Sequence, residues 1–248
     1  SMMGLLKNYE VINPFISATI DSLNRLKPGF EAPVCIVTSL GISPQIPSRN
    51  RTILAGLIRD IDSPLATRIE MRSPNPYTNT YIAIAAFYLA MWDGIKACVE
   101  SGKNLQELEA ELSKKAGVEG FYLEKDREYR SEDDVFEDFT EAERSRLFGK
   151  PPATVWENMC GFSKYPEKKA ALTSGNILRP EFIDSFAKGA LIRWQTELLN
   201  RMIPEFHAEI VAMKCLHDTG FYNKCDDEKW ARIAALRVML AKDSVEAP

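Results

Sequence analysis

Histidine is nearly missing from these 248 residues: His207 and His217 are the only two. With Cys215 and Cys225 they could be drawn as a zinc site, but the spacing fits no familiar finger, and a structural role is the simpler account. A disulfide framework is also lacking. The five cysteines (Cys35, Cys98, Cys160, Cys215, Cys225) are scattered and odd in number, which suits a reducing cytoplasm. There is no cationic excess: 31 Lys and Arg against 35 Asp and Glu leave a net charge of −4. That balance argues against a nucleic-acid or anionic-membrane partner, although locally gathered arginines could still serve a small anion. No signal peptide and no internal repeat is evident. The longest apolar run, "YIAIAAFYLAMW" at 81–92, is too short to span a bilayer and reads as a buried helix, so no membrane partner is expected.

What is present divides into a strand-bearing front, about 1–76, and a helical back, about 77–248. The predicted class is therefore α+β, with a few antiparallel strands in the first third. "APVCIVTS" (32–39) and "RTILAGLIRD" (51–60) are β-rich and bounded by Pro, Gly and Ser, and "TRIEMRS" (67–73) alternates cleanly. Asn79 can cap the apolar segment that follows. Asn104 with Glu107, and Thr140 with Glu143, read as capping boxes for helices that end at Gly117 and Gly149. The acid-rich stretch 124–143 reads as a solvated excursion with little fixed structure. Pro180 opens a helix whose Ile183, Phe186, Ala187, Ala190, Trp194 and Leu198 form a stripe, with Pro204 as its stop. A last helix is expected from about Asp227 to Lys242.

The chemistry is concentrated in "ATRIEMRSPNP" (66–76). Alternate residues of a strand share a face, so Arg68, Glu70 and Arg72 form a cation–anion–cation row, with Ile69 and Met71 opposite and expected to be buried. A solvated salt-bridge ladder is the ordinary account of such a row. Arg25, Arg49, Arg51 and Arg59 crowd the same third of the chain, which a surface ladder does not need. Guanidinium forks match carboxylate and phosphate oxygens. A carboxylate set between two of them keeps its negative charge and suits a metal.

"NPFISATIDSLNRLKPGFEAPV" (13–34), "SRNRT" (48–52) and "ATRIEMRSPNPYTNTYIAIAAFYLAMWDGI" (66–95), in this order, resemble the second half of the glutamine synthetase catalytic domain of the bacterial type I style. A looser echo returns at 175–210. The resemblance implies ATP and Mg²⁺ (or Mn²⁺) as cofactors, and glutamate with ammonia or another amine as substrates. The reaction it implies passes through γ-glutamyl phosphate. It assigns Arg25 and Arg72 to the substrate, Glu31 to a flap beside the ammonium site and Arg51 to the transferring phosphate. Arg68 goes to the nucleotide and Glu70 to a metal. A homo-oligomer is implied for the full-length protein.

The resemblance has gaps. An arginine of the family falls on Gly56 here, and a lysine on Leu65, both on the nucleotide side; Arg59, three residues further on, is the candidate substitute for the arginine. The family's earlier catalytic carboxylates have no counterpart, so residues 1–248 are expected to be a truncated C-terminal portion of one domain. Such a portion would be inactive without the N-terminal half. A non-catalytic scaffold on the same fold is the alternative.

Overall fold

The computed structural model describes residues 1–27, 32–43, 45–48, 50–60, 62–216 and 224–242. They fall into two compact units, Ser1–Leu191 and Ile192–Pro248.

The first unit is built on α1 (Met2–Lys7) and α2 (Tyr9–Ile16), nearly all of whose side chains are buried. Both lie against α4 (Thr80–Ser101), and α2 also lies against α7 (Val155–Lys164) and α8 (Pro166–Thr173). The side of α4 that meets α1 carries Ala83, Ala86, Ala90 and Gly94. Small residues belong there because the backbones nearly touch: a Cβ on Gly4 would collide with the Ala90 carbonyl oxygen, and one on Gly94 with Gly4.

In chain order a three-stranded sheet comes between α2 and α4. β1 (Thr38–Ser39) pairs in parallel with β2 (Ala55–Ile58), which pairs antiparallel with β3 (Arg68–Met71). The fold is α+β as expected, but the sheet is mixed and its strands are shorter than the β-rich runs. Residues 34–37 explain the difference. They are fully buried and bonded to several segments in turn: Val34 N–H to Thr52 O, Ile36 N–H to Gly149 O, and Val37 O from Leu54 N–H. Backbone groups are satisfied there without a regular ladder. Val34, Cys35, Val37 and Ile53 close a core with Val135 and Phe148. Burial pushes the Cys35 thiol up to about 12.

The predicted helix starts are present. Asn79 accepts from Tyr81 N–H and Ile82 N–H at the head of α4, and full capping boxes open α5 (Leu105–Leu112) at Asn104 and α6 (Glu141–Leu147) at Thr140. Helix α5 ends well before Gly117, whose φ of +91° lies in the following turn.

Three expectations are corrected. Helix α4 is 22 residues long, apolar enough and long enough by composition to cross a bilayer, yet it packs along α1, α2 and α8. It is not buried all round: Tyr81, Ile84, Tyr88, Trp92 and Val99 are exposed. The acid-rich stretch is irregular but fixed. Lys168 Nζ, on a side chain only 2% exposed, meets Glu124 Oε1 at 2.5 Å and Glu10 Oε2 at 3.0 Å. Arg127 Nη1 spans the same two carboxylates at 3.2 and 2.7 Å, and Tyr129 donates its hydroxyl to Glu124. Thr38 exchanges backbone bonds with Tyr129 and Ser131, which covers the outer edge of β1. Ile69 and Met71 are only partly buried, since β3 is the edge strand on the other side.

The second unit begins within α9 (Pro180–Glu197). The stripe expected along α9 is the protected one: Ile183 is buried, Phe186 rests on Phe15 at 4.8 Å between ring centroids, and the other stripe positions are partly covered. Pro204 does not stop the helical path. A π-helical turn, Leu198–Met202, leads into α10 (Ile203–Ala212), and Pro204 sits in its first turn, where no intrahelical donor is required. Helix α11 (Lys224–Lys242) packs on α10, and Arg237 donates to the Met213 carbonyl.

Candidate functional site

The site is laid out by the register of β2 and β3. Gly56 stands opposite Glu70 and Ile58 opposite Arg68, and Arg72 N–H extends the pairing by donating to Leu54 O. Arg68, Glu70 and Arg72 therefore share a face, as the alternation predicts. Their exposure falls along the row. Arg68 is exposed, the Glu70 side chain is 43% exposed, and that of Arg72 only 11%. The row is not a ladder of three. Arg72 Nε donates to Glu70 Oε1 at 2.9 Å, whereas Arg68 Nη1 turns back to the Ala66 carbonyl at 3.2 Å. A half-exposed pair of this kind is worth about 0–1 kcal/mol, too little to account for the row by stability alone. Among the described residues Arg72 Nη1 is buried without a partner, a donor held ready for an oxygen.

Gly56 makes room for that guanidinium. A Cβ at this position would lie 3.0 Å from Arg72 Nη2 and 3.4 Å from Cζ. Where the resemblance places another arginine, this chain lets Arg72 lie across β2. Leu65 is fully exposed in the short 3-10 turn Pro64–Ala66.

Arg25 closes α3 (Ile20–Asn24), a helix opened by the Thr19–Ser22 capping box. Its fork reaches the main chain just past β3. Nη1 and Nη2 donate to Arg72 O at 3.3 Å each, and Nη2 also donates to Ser73 O at 2.7 Å and Pro74 O at 2.9 Å. Three successive carbonyls are thus gathered by one side chain. The same turn is fastened to the end of α2: Ser17 Oγ donates to Ser73 O, while Asn75 Nδ2 and Thr78 Oγ1 both donate to Ile16 O at 2.8 Å. Behind it runs a buried polar chain. Tyr9 donates to Asn13, Asn13 to Asn158 of α7, and Asn158 to Ser17 O. Burial holds the Tyr9 phenol well above its ordinary range, so it remains a donor.

Arg25, Glu70 and Arg72 therefore form one bonded group. Arg51 is exposed on the bend before β2, a bend ordered by Asn50, whose side chain accepts from Thr52 N–H and Oγ1. Glu31 and Arg49 lie outside the described residues, and with them the expectation that Glu31 approaches Arg72. Among the described residues no group of three or more His, Cys, Asp or Glu is placed to hold a metal ion, and His207 is exposed.

One contributor was not foreseen. Glu132, in the acid-rich stretch, accepts from Ser39 Oγ, Leu40 N–H, Gly41 N–H and Arg130 Nε, and so fixes the chain as it leaves β1. Its partial burial opposes ionisation, but the Ser39 and Arg130 bonds outweigh that and hold its carboxyl below the usual range. Nothing local in the sequence marks it, because its partners at Ser39–Gly41 lie some ninety residues earlier.

Known proteins resemble this chain in sequence and in fold. The family model for the glutamine synthetase catalytic domain matches residues 1–121. Glutamine synthetase of Escherichia coli (strain K12) is 36% identical over 146 residues, covering 54% of this chain and 29% of that protein. The Azospirillum brasilense glutamine synthetase is 38% identical over 112 residues, covering 44% of this chain and 22% of that one. The chain thus spans less than a third of the relatives it matches. In fold, a cryo-EM structure of Plasmodium falciparum glutamine synthetase superposes on 83% of the chain and 40% of its own, with a TM-score of 0.55 at 19% identity. Over residues 1–121 the chain is thus similar to the glutamine synthetase catalytic-domain family.

Proposed function

We propose that this chain supplies one wall of an ATP-dependent ligase that joins glutamate to ammonia, or to another amine, through γ-glutamyl phosphate. The observation that carries the reading is the bonded group on β3: a carboxylate and a guanidinium side by side, braced from behind by Arg25. Phosphoryl transfer between two anions is promoted by fixed cations aimed at the oxygens that gain charge. Arg72, whose buried Nη1 has no partner among the described residues, supplies such a donor on the glutamate side. Arg51 and Arg68, both exposed, are assigned to the nucleotide phosphates, and Glu31 to drawing ammonium in and taking its proton. Arg25 acts on the substrate side through the turn it holds. Residues with these charges in one place suit a cytoplasmic enzyme of nitrogen metabolism, oligomeric when whole.

The described residues do not by themselves fit a resident Mg²⁺ or Mn²⁺. Glu70 is a single carboxylate whose Oε1 already holds Arg72, and no cluster of ligating side chains surrounds it. A cation with one protein ligand keeps most of its water and binds weakly. The chain alone is therefore expected to be silent. The test is phosphate release from ATP with glutamate and an amine. It is run on this chain and on a polypeptide that joins it to the remaining catalytic carboxylates of the family. Turnover by the joined polypeptide that is abolished by Glu70→Gln, with the fold intact, is expected; turnover that survives Glu70→Gln refutes the reading. Gly56 and the solvent-facing Leu65 favour a second reading, a non-catalytic scaffold. A folded but inactive joined polypeptide would select it.

A further inference from the structure

Among the described residues no element packs along the outer, aromatic side of α4, and its pattern says what fits it. Tyr81, Ile84, Tyr88, Trp92, Ile95 and Val99 recur at helical spacing along about 27 Å of axis. The stripe is nearly palindromic about Tyr88: Ile84 and Trp92 lie four residues to either side, Tyr81 and Ile95 seven. Such a stripe is complementary to itself when a second helix runs antiparallel, which is the condition for a two-fold contact.

Area and charge point the same way. Tyr81, Tyr88 and Trp92 are 88%, 66% and 53% exposed. At roughly 200 Å² per aromatic side chain, these three alone offer about 400 Å². That is half of the ~800 Å² per partner that a stable interface buries, and Ile84, Val99 and the neighbouring Ile177, also exposed, add to it. The charges of α4, Asp93, Lys96 and Glu100, all follow Trp92. Asp93 is occupied, accepting from Tyr122 Oη at 2.6 Å and Asn8 Nδ2 at 3.1 Å. A parallel pair would set Glu100 against Glu100. An antiparallel pair sets each charged end beside the uncharged start of the other helix. Next to Tyr88 and Trp92 a cavity of ≈ 510 Å³, walled by Leu89, Met91 and Ile177, has room for a partner's aromatic ring.

We propose that this face of α4 is a two-fold contact with a second copy of the chain, its axis passing near Tyr88. The inference does not depend on the ligase reading. It is tested on the full chain by sedimentation velocity across a concentration series, with circular dichroism to check each variant's fold. The wild-type chain is expected to dimerise in about the micromolar range or tighter. Tyr88→Glu, which places an unpaired carboxylate on the axis, should weaken the dimer by about 30-fold or more. An equimolar mixture of Tyr88→Glu and Tyr88→Lys chains should recover a heterodimer, as only an axis at Tyr88 requires. If Tyr88→Glu loses its fold, Val99→Glu, farther from the packed side, takes its place and should weaken the dimer as well. A monomer at every concentration, a dimer indifferent to a carboxylate on the stripe, absence of heterodimer rescue, or a monomer that instead binds neutral phosphatidylcholine vesicles would each overturn it.

Discussion

Replacing Lys168 by methionine should be among the most damaging single changes away from the sheet. The side chain is 2% exposed and serves two carboxylates, Glu10 at 3.0 Å and Glu124 at 2.5 Å, which otherwise share only Arg127. With all four ionised the group is neutral; Lys168→Met leaves it with one uncompensated negative charge. At an effective dielectric of about 20, each contact near 3 Å is worth roughly 5 kcal/mol of Coulomb energy. Most of that is offset by the cost of burying the ammonium, which methionine does not incur. Breaking a buried pair by removing one partner typically costs about 3–5 kcal/mol, and we expect about 3 because the Glu124 side chain, 35% exposed, can be partly rehydrated. For a unit of this size that lowers the midpoint of thermal unfolding by about 6–12 °C. The assay is urea unfolding at neutral pH, followed by circular dichroism and compared at constant m-value. Lys168→Met/Glu124→Gln should recover much of the loss, since neutrality returns. A loss below about 1 kcal/mol for the single variant, or no recovery in the double, would show that the group is not a balanced buried network.

Acid should act through the same carboxylates. Burial opposes the ionisation of Glu124, but the hydrogen bond and charge of Lys168, followed by Arg127 and Tyr129, hold its carboxyl below the usual range. Its contribution is therefore complete above the ordinary carboxylate value of about 4.3 and is lost as pH falls through the lower folded one. Urea midpoints measured from pH 7 to pH 2 should decline in that window, and Lys168→Met should flatten the decline; an unchanged profile contradicts the assignment. The two close glycine contacts should part company. Gly56→Ala meets only the end of the Arg72 side chain and should change stability by about 1 kcal/mol or less, whereas Gly4→Ala meets the α4 backbone and should cost several times that. Equal costs in unfolding experiments would mean that Arg72 does not yield.

What could be read in advance was local. The caps at Asn79, Asn104 and Thr140 act over three residues, and the alternation of Arg68, Glu70 and Arg72 needs only a strand. The errors concern contacts far apart in the chain. Residues 124–143 look solvated by composition, yet Glu124 is held from Lys168, Arg127 from Glu10 and Glu132 from the end of β1. As far as Trp92, helix α4 is apolar on every side, so hydrophobicity alone does not say which side is covered. The distinction lies in size, with alanine and glycine against α1 and aromatics outside. The resemblance points Arg25 toward a substrate, and no local feature shows that its fork is filled by the carbonyls of residues 72–74.

That fork sets an order of failure. A guanidinium keeps its proton at any pH the protein meets, and carbonyl acceptors do not titrate, so the turn that orients Arg72 has no acid-labile fastening. The ties of residues 124–132, by contrast, run through carboxylates. On acidification the ground around the sheet should loosen first while the turn beside β3 stays bound to α2 and α3. Amide hydrogen exchange would record this as early loss of protection at the N–H groups of Thr38 and Ser131, with Arg72 N–H still protected. The part of the chain assigned to chemistry would then outlast, in acid, the scaffold packed around it.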